Sequence, residues 1–540
     1  MSASSVPGRI WPVDVFPIGC DGVLAPESLP SAETMGFKAW NLQRMTALSL
    51  PVPPAFVIGS RYCRQSREDA ATRRALWLDG IRALERATAL ALGDSRRPLL
   101  LSVRSGAPVS MPGMMETLLN IGLCDATVGG LLRRTGQPRL VWDAYHRLVA
   151  GFGEVVAGIP AAAFEAATTA LVGKRDEREL DFADLRALTR RFLDVYAEQS
   201  GRPFPQEPAA QLDAAIHAVF ASWQSPKACE YRRLNSLSDD IGTAVTVQAM
   251  VFGNGGGQSG AGVGFTRDPA TGSPELWVDF LFDAQGEDVV SGRRSADGSD
   301  ALQSVLPATW TALQAAAHTL EQAFGDMQDF EFTVQDGRLF MLQTRSGKRT
   351  PIAAARIALD LADDGVIDAA TACQRTQGLD ARALTRSRLV ADGDVPPTPL
   401  GRAATASSGV AIGEIALDGE RAAARRAEGR DVVLVRRDAE TSDIAAIESA
   451  MGLLTQRGAR TSHAAVVARQ LGKVCLVGCA GLRIDETTRT VRIGATTLHE
   501  GDLLTLDGND GAFYAGALET RSEPPRELLA QLDALRSQRR

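Results

Sequence analysis

Polar and apolar positions change period several times along the chain, and each change marks a boundary between elements. Leu180, Phe182, Leu185, Leu188, Phe192 and Leu193 recur at three- and four-residue spacing, and Ala-rich stretches of the same texture fill residues 126–235. That period predicts helices with one apolar face. From Val245 the pattern shortens to alternation and gains glycine, through Val263-Gly-Phe-Thr-Arg267 to Val289, which predicts strands. Over residues 329–345 the alternation is strict: Asp329, Glu331 and Thr333 take one face, and Phe330, Phe332 and Val334 the other. Residues 351–390 return to helix. Between 405 and 516 short apolar strands (Val432–Val435, Leu453–Leu454, Val474–Val477, Leu503–Leu506) alternate with helices, which reads as a small α/β unit.

Two proline-rich breaks divide these textures. Asp392-Gly-Asp-Val-Pro-Pro-Thr-Pro399 is the plainer linker, because proline removes amide donors and disfavours helix in the residue before it. Ser522-Glu523-Pro524-Pro525 precedes an amphipathic helix carrying Leu528, Leu529, Leu532 and Leu535. The expected division is an extension at 1–35, a large compound domain at 36–390 with 126–235 mostly helical, a hinge linker at 391–404, a small domain at 405–517 and a linker helix at 518–540. The fold class is mixed α/β and α+β, multidomain.

Composition narrows the class without naming it. With 540 residues, 45% hydrophobic and 23% charged, the chain is long enough for several ordinary globular cores. A net charge of −7 and 6% aromatic residues argue against a nucleic-acid surface. No apolar run reaches the roughly 20 residues of a membrane span, and no secretory leader pattern opens the chain. The expected location is the cytoplasm. Seven scattered cysteines without a Cys-x-x-Cys pair speak against a disulfide framework or a structural zinc site.

The densest candidate chemistry is Thr461-Ser462-His463-Ala-Ala-Val-Val-Ala-Arg469. It follows the apolar strand Gly452–Thr455 and the turn Arg457-Gly458-Ala459-Arg460. Thr461 or Ser462 caps the helix that follows, placing His463 in its first turn. There the free amides and the dipole disfavour imidazolium and favour an anion. A neutral imidazole so placed can attack a phosphoryl group, and the helix end stabilises the phosphohistidine that results; Arg460 adds positive charge. A histidine merely hydrogen-bonded at a helix start is the plainer alternative.

A second cluster lies in the alternating segment. A two-residue turn at Asp336-Gly337 sets Gln343 on the face opposite Glu331, whereas a three-residue loop with Gly337 left-handed gathers Asp329, Glu331, Gln343 and Arg345. Such a set can hold Mg²⁺ and nucleotide phosphates. The glycine-dense turn Asn254-Gly-Gly-Gly-Gln-Ser-Gly-Ala-Gly262 can bring backbone amides close to phosphate. Arg104 stands at the end of the apolar run Leu99–Leu101, and Lys38 sits in Gly36-Phe-Lys-Ala-Trp-Asn41.

Together these segments resemble the pyruvate, phosphate dikinases. The resemblance rests on Gly36–Leu42 with Leu50-Pro-Val-Pro-Pro-Ala-Phe56, on Ser102-Val-Arg-Ser-Gly-Ala-Pro-Val-Ser-Met-Pro-Gly-Met-Met-Glu-Thr117, and on Val247–Asn254. Further along it includes Gln285–Val290, Met327–Phe332, Leu342-Gln-Thr-Arg345 and Gly458–Arg469. It implies an ATP-grasp nucleotide-binding domain with a helical insertion, followed by a swivelling phosphohistidine domain. Lys38, Arg104, Gln248, Glu287, Asp329, Glu331, Gln343 and Arg345 would then bind ATP, with Asp329, Glu331 and Gln343 holding Mg²⁺.

By the same resemblance His463 takes the β-phosphoryl group, helped by Lys38, Arg104 and Arg345, while inorganic phosphate accepts the γ-phosphoryl. Arg460, Thr461 and Ser462 support the phosphohistidine. Three departures stand out: Phe37 and Ala39 flank the lysine where the family has glycines, Arg460 replaces an apolar residue, and the family's pyruvate-binding barrel has no counterpart. The resemblance therefore implies a phosphotransferase with paired acceptors whose final acceptor, pyruvate or another molecule, sits on a separate partner. A homodimer is compatible with it. A phosphotransferase acting on a different small molecule and a non-catalytic nucleotide sensor are the alternatives.

Overall fold

The computed structural model describes residues 10–64, 70–109, 111, 116–173, 175, 179–290, 298–390, 398–438, 443–460 and 462–537. The chain forms two compact units, Met1–Gly256 with Phe340–Gln343, and Gly257–Leu339 with Thr344–Arg540. It is a mixed α/β, multisheet architecture. Among the described residues no helix is long and apolar enough to cross a membrane. The segment 391–397, half of the expected hinge 391–404, lies outside the described residues.

The first unit is built on a five-stranded antiparallel sheet. Its order is Val15–Ile18, Ala55–Ile58, Ala244–Ala249, Leu101–Gly106, Thr117–Ile121. Registry pairs Ser102 with Gln248 and Arg104 with Thr246. Side chains alternate across a sheet, so these four polar residues share one face, while Val103, Val245 and Val247 fill the other. Six helices between Asp125 and Leu234 follow, as the 3.6-residue period anticipated. Leu185, Leu188 and Phe192 are buried, but Phe182 is 51% exposed because it opens its helix just after the Asp181 cap. His146 is buried in the same helical region, with Nδ1 3.2 Å from the Trp142 carbonyl oxygen and its ring against Phe192, a structural role.

The second unit opens with a sheet ordered Trp277–Phe282, Gly260–Phe265, Gln328–Gln335, Arg338–Ser346. Gly260, Gly262 and Gly264 alternate along one face of their strand. A Cβ on Gly262 would stand 2.5 Å from the Phe332 ring, one on Gly264 2.5 Å from Phe330, and one on Gly260 2.2 Å from Phe280. The glycines exist so that three phenylalanine rings can lie across the strand. This corrects the reading of residues 254–262 as one phosphate-cradling turn: its last glycines are buried strand positions serving the core.

The small α/β part of this unit holds an eight-stranded sheet. Its centre is parallel, running Val410–Ala416, Val432–Arg436, Gly452–Thr455, Val474–Val477, with antiparallel strands flanking it. Cys475 and Cys479 are buried in it, and burial pushes the Cys475 thiol up to about 12. Strand Arg386–Leu389 pairs antiparallel with Thr520–Glu523 in a two-stranded connector. The terminal helix Arg526–Ser537 then buries Leu528, Leu532 and Leu535 against Ile352, Ala355 and Leu384.

Candidate functional site

In the first unit, glycine chemistry brings two of the expected residues to one end of the sheet. Gly36 (φ +78°) caps the helix Phe37–Ala47, and a Cβ there would lie 2.0 Å from the Gly106 carbonyl oxygen. Only glycine allows that approach. The Phe37 N–H donates to the Ala107 carbonyl at 3.0 Å, so the helix start docks onto the end of the strand Leu101–Gly106. Lys38 is therefore a first-turn residue beside the strand that carries Arg104. A cation in a first turn opposes the helix dipole, a local cost of roughly 0.3–1 kcal/mol that an anionic ligand reverses. Gln248 is buried on the polar face and donates from Nε2 to the Pro53 carbonyl at 2.9 Å. Gln343 is buried in the same unit, on strand Arg338–Ser346.

In the second unit, the sheet register defines a charged face. Glu331 pairs across Val263 with Asp279, and Asp329 pairs across Phe265 with Trp277. Cross-strand partners share a face, so Asp329, Glu331, Asp279 and Trp277 stand together. The hairpin that carries Asp329 and Arg345 closes with a two-residue turn, Asp336 and Gly337 both left-handed (φ +51° and +75°). The three-residue loop is thus not formed, and its gathering of Gln343 with Glu331 is not what this turn dictates. Arg345 nonetheless reaches Asp329, with Nε 2.9 Å and Nη2 2.8 Å from the carboxylate. Burial pushes the Asp329 carboxyl above its ordinary value, with Arg345 and Arg469 pulling the other way. Glu331 adds negative charge beside both partners. Glu287 sits exposed in the short helix Gly286–Val290.

The helix His463–Gln470 begins beyond the carboxyl end of the parallel strand Gly452–Thr455, where α/β sheets place their ligand sites. Ser462 is its N-cap, accepting from the Ala465 N–H. His463 is its first residue, and Thr461 falls outside the described residues. Arg460, immediately before this turn, lies on the charged sheet face. Its guanidinium is 4.1 Å from the centre of the Trp277 ring, and both Nε and Nη2 are 3.4 Å from Asp279 Oδ1.

Arg469, near the helix end, is 1% exposed. It donates to the Ala406 carbonyl (2.9 Å) and the Arg460 carbonyl (3.2 Å), and its guanidinium stands 5.6 Å from the Phe265 ring and 5.9 Å from Trp277. Burial lowers its pKa. Two arginines flanking His463 in sequence thus pack onto the face that carries Asp279, Glu331 and Asp329. Sequence reasoning missed Trp277, Asp279 and Arg469. Trp277 and Asp279 reach this face through the register of separate strands, which no local pattern announces.

Among the described residues, no three histidine, cysteine or carboxylate groups converge to hold a metal unaided. Mg²⁺ commonly takes only one or two carboxylates, with substrate phosphates and water completing its shell. The buried Asp329, with Glu331 on the same face, fits that chemistry, and the raised Asp329 pKa marks a site where added positive charge is favourable.

A histidine at a helix start, bracketed in sequence by two arginines that pack on a carboxylate-lined sheet face, defines a candidate site for phosphoryl-group chemistry. The family comparisons agree. Residues 77–307 and 299–364 match the pyruvate phosphate dikinase AMP/ATP-binding domain, and 429–511 match the mobile domain of PEP-utilising enzymes. The chain belongs to the pyruvate phosphate dikinase family. It is 42% identical to pyruvate, phosphate dikinase 2 of Zea mays over 491 residues, covering 90% of this chain and 56% of that protein. Against the pyruvate, phosphate dikinase of Clostridium symbiosum it is 40% identical over 505 residues, 90% of this chain and 57% of the relative. The chain spans about half the length of the curated relatives it matches.

Proposed function

We propose that this chain is an ATP- and phosphate-dependent dikinase module, an ATP-grasp domain with a helical insertion joined to a swivelling phosphohistidine domain. A nitrogen of the His463 imidazole attacks the β-phosphorus of ATP, the bond to the α-phosphoryl oxygen breaks, and AMP leaves. Inorganic phosphate accepts the γ-phosphoryl group, so pyrophosphate is released and one phosphoryl group stays on His463. Lys38, Arg104 and Arg345 offset charge on the transferring group, the main way proteins catalyse such transfers. Gln248 and Glu287 line the nucleotide. Asp329 and Glu331 would hold Mg²⁺, with Gln343 as the amide ligand that the family resemblance implies, and the ion would neutralise phosphate charge. The phosphoryl group then passes to pyruvate or another acceptor held by a separate partner, the small domain moving on residues 391–404.

The observation that carries this reading is the packing of Arg460 and Arg469, which bracket His463, onto the sheet face of Asp279, Glu331 and Asp329. Arginines on either side of the helix start, packed on the face that carries carboxylates suited to a Mg²⁺-bound phosphate, support this reading. The test is incubation with Mg²⁺ and ATP labelled at the β-phosphorus, with and without phosphate. Acid-labile label that requires His463 supports the reading; label that persists in His463→Ala contradicts it.

A further inference from the structure

Four arginines from three separate elements converge at the base of the two-stranded connector. Arg386 and Arg388 lie on strand Arg386–Leu389, Arg356 on helix Pro351–Asp363, and Arg526 opens helix Arg526–Ser537. They line one cavity of about 530 Å³. Among the described residues none of the four forms an ion pair. Arg386 is half-buried, donates one Nη2 bond to the Ala270 carbonyl (2.9 Å), and has its pKa lowered by burial and by Arg356 and Arg388 nearby.

The carboxylates around them are mostly committed elsewhere. Asp360 pairs with Arg267 at 2.6 Å and Glu523 with Arg521 at 3.0 Å. Asp268 and Asp507 act electrostatically on Arg386 and Arg388, but Asp268 accepts from the Ala270 N–H and Thr271 hydroxyl, and Asp507 from Asn509. Four guanidiniums therefore face Glu527 alone among uncommitted lining carboxylates. Pro524 and Pro525 supply no amide donors, so the first-turn N–H groups of Arg526–Ser537 are the backbone donors at this end of the cavity. Arg356, Arg388 and Arg526 are exposed, so solvent screens much of their repulsion and the cost falls mainly on the half-buried Arg386; guanidinium forks are the side chains best matched to phosphate oxygens.

We propose that this cavity is a binding site for a multiply charged phosphate-type anion, distinct from the proposed nucleotide site. Its ligand joins the connector to helices Pro351–Asp363 and Arg526–Ser537. Because the connector carries the chain into and out of the small α/β part, occupancy stiffens the base of that part.

The inference does not depend on the dikinase reading. The probe is inorganic pyrophosphate, titrated calorimetrically into the full chain at fixed ionic strength with Mg²⁺ and a non-hydrolysable ATP analogue already saturating any nucleotide site. Wild type is expected to bind pyrophosphate still. The double variant Arg386→Gln/Arg388→Gln is expected to bind at least tenfold more weakly, with Arg356→Gln, an exposed helix position, weaker in the same direction. Hydrogen exchange of the amides of residues 386–389 and 520–523 should slow on adding pyrophosphate to wild type only. Absence of pyrophosphate binding to wild type under these conditions, or equal affinity in Arg356→Gln when its melting temperature is unchanged, overturns the proposal.

Discussion

Replacing Trp277 with alanine isolates the contact between the histidine-bearing helix region and the carboxylate face. The Arg460 guanidinium stands 4.1 Å from the centre of the Trp277 ring, and Arg469 adds a weaker contact at 5.9 Å. A half-buried cation–π contact contributes about 1–2 kcal/mol, which is roughly a 5–30-fold change in the equilibrium between the packed and released small domain. The Asp279 ion pair with Arg460 survives the substitution, so the packing is weakened rather than abolished. The assay is single-turnover labelling of the protein by β-labelled ATP, alongside nucleotide affinity by titration. Labelling should slow 5–30-fold with ATP affinity within twofold of wild type, and Trp277→Phe should recover part of the rate. Unchanged labelling, or a loss of rate matched by a loss of ATP affinity, would refute the claim that this packing presents His463.

Other outcomes follow from the same geometry. Gly262→Ala sets a Cβ 2.5 Å from the Phe332 ring and 2.9 Å from the Asp279 carbonyl oxygen, so overpacking of about 1–3 kcal/mol should lower the melting temperature by several degrees. Glu500 is half-buried and accepts from Arg489 and the Leu417 N–H; burial works to raise its pKa, but these bonds outweigh it and hold it below the usual carboxylate range. Its stabilisation is therefore present above the unfolded value and lost as pH falls through the folded one. Melting curves from neutral pH down through the carboxylate range should show a steeper fall for wild type than for Glu500→Gln. At Asp329 the sign is opposite, since burial raises its pKa: protons compete with Mg²⁺, and Mg²⁺-dependent ATP binding should weaken as pH falls, whereas Asp329→Asn should bind weakly at every pH.

Much of the fold could be read from periodicity. The helices between 125 and 234 and the strands at Val432–Arg436, Gly452–Thr455 and Val474–Val477 stand where apolar spacing placed them, because burial of one face requires that spacing. The place of His463 at a helix start was legible for a local reason: Ser462 caps its helix and a Gly458 turn (φ +118°) precedes it. What escaped was long-range. That Asp279 shares a face with Glu331 depends on the register of three strands separated by about fifty residues, and no local pattern fixes it. Gly260 and Gly262 looked like part of a phosphate loop because glycine signals only that a side chain is excluded, here by phenylalanine rings rather than by a ligand. The Arg345–Asp329 pair was anticipated through the wrong turn.

The most direct test of the central claim is the fate of two labels in one reaction. ATP carrying distinct isotopes at its β- and γ-phosphorus is mixed with the chain, Mg²⁺ and inorganic phosphate, and the protein is digested under alkaline conditions that preserve phosphohistidine. β-Label is expected on the peptide containing His463, γ-label in pyrophosphate, and AMP in equal amount to the phosphorylated histidine. γ-Label on the peptide with ADP as the nucleotide product, or no labelled peptide at all when ATP is consumed, would contradict it.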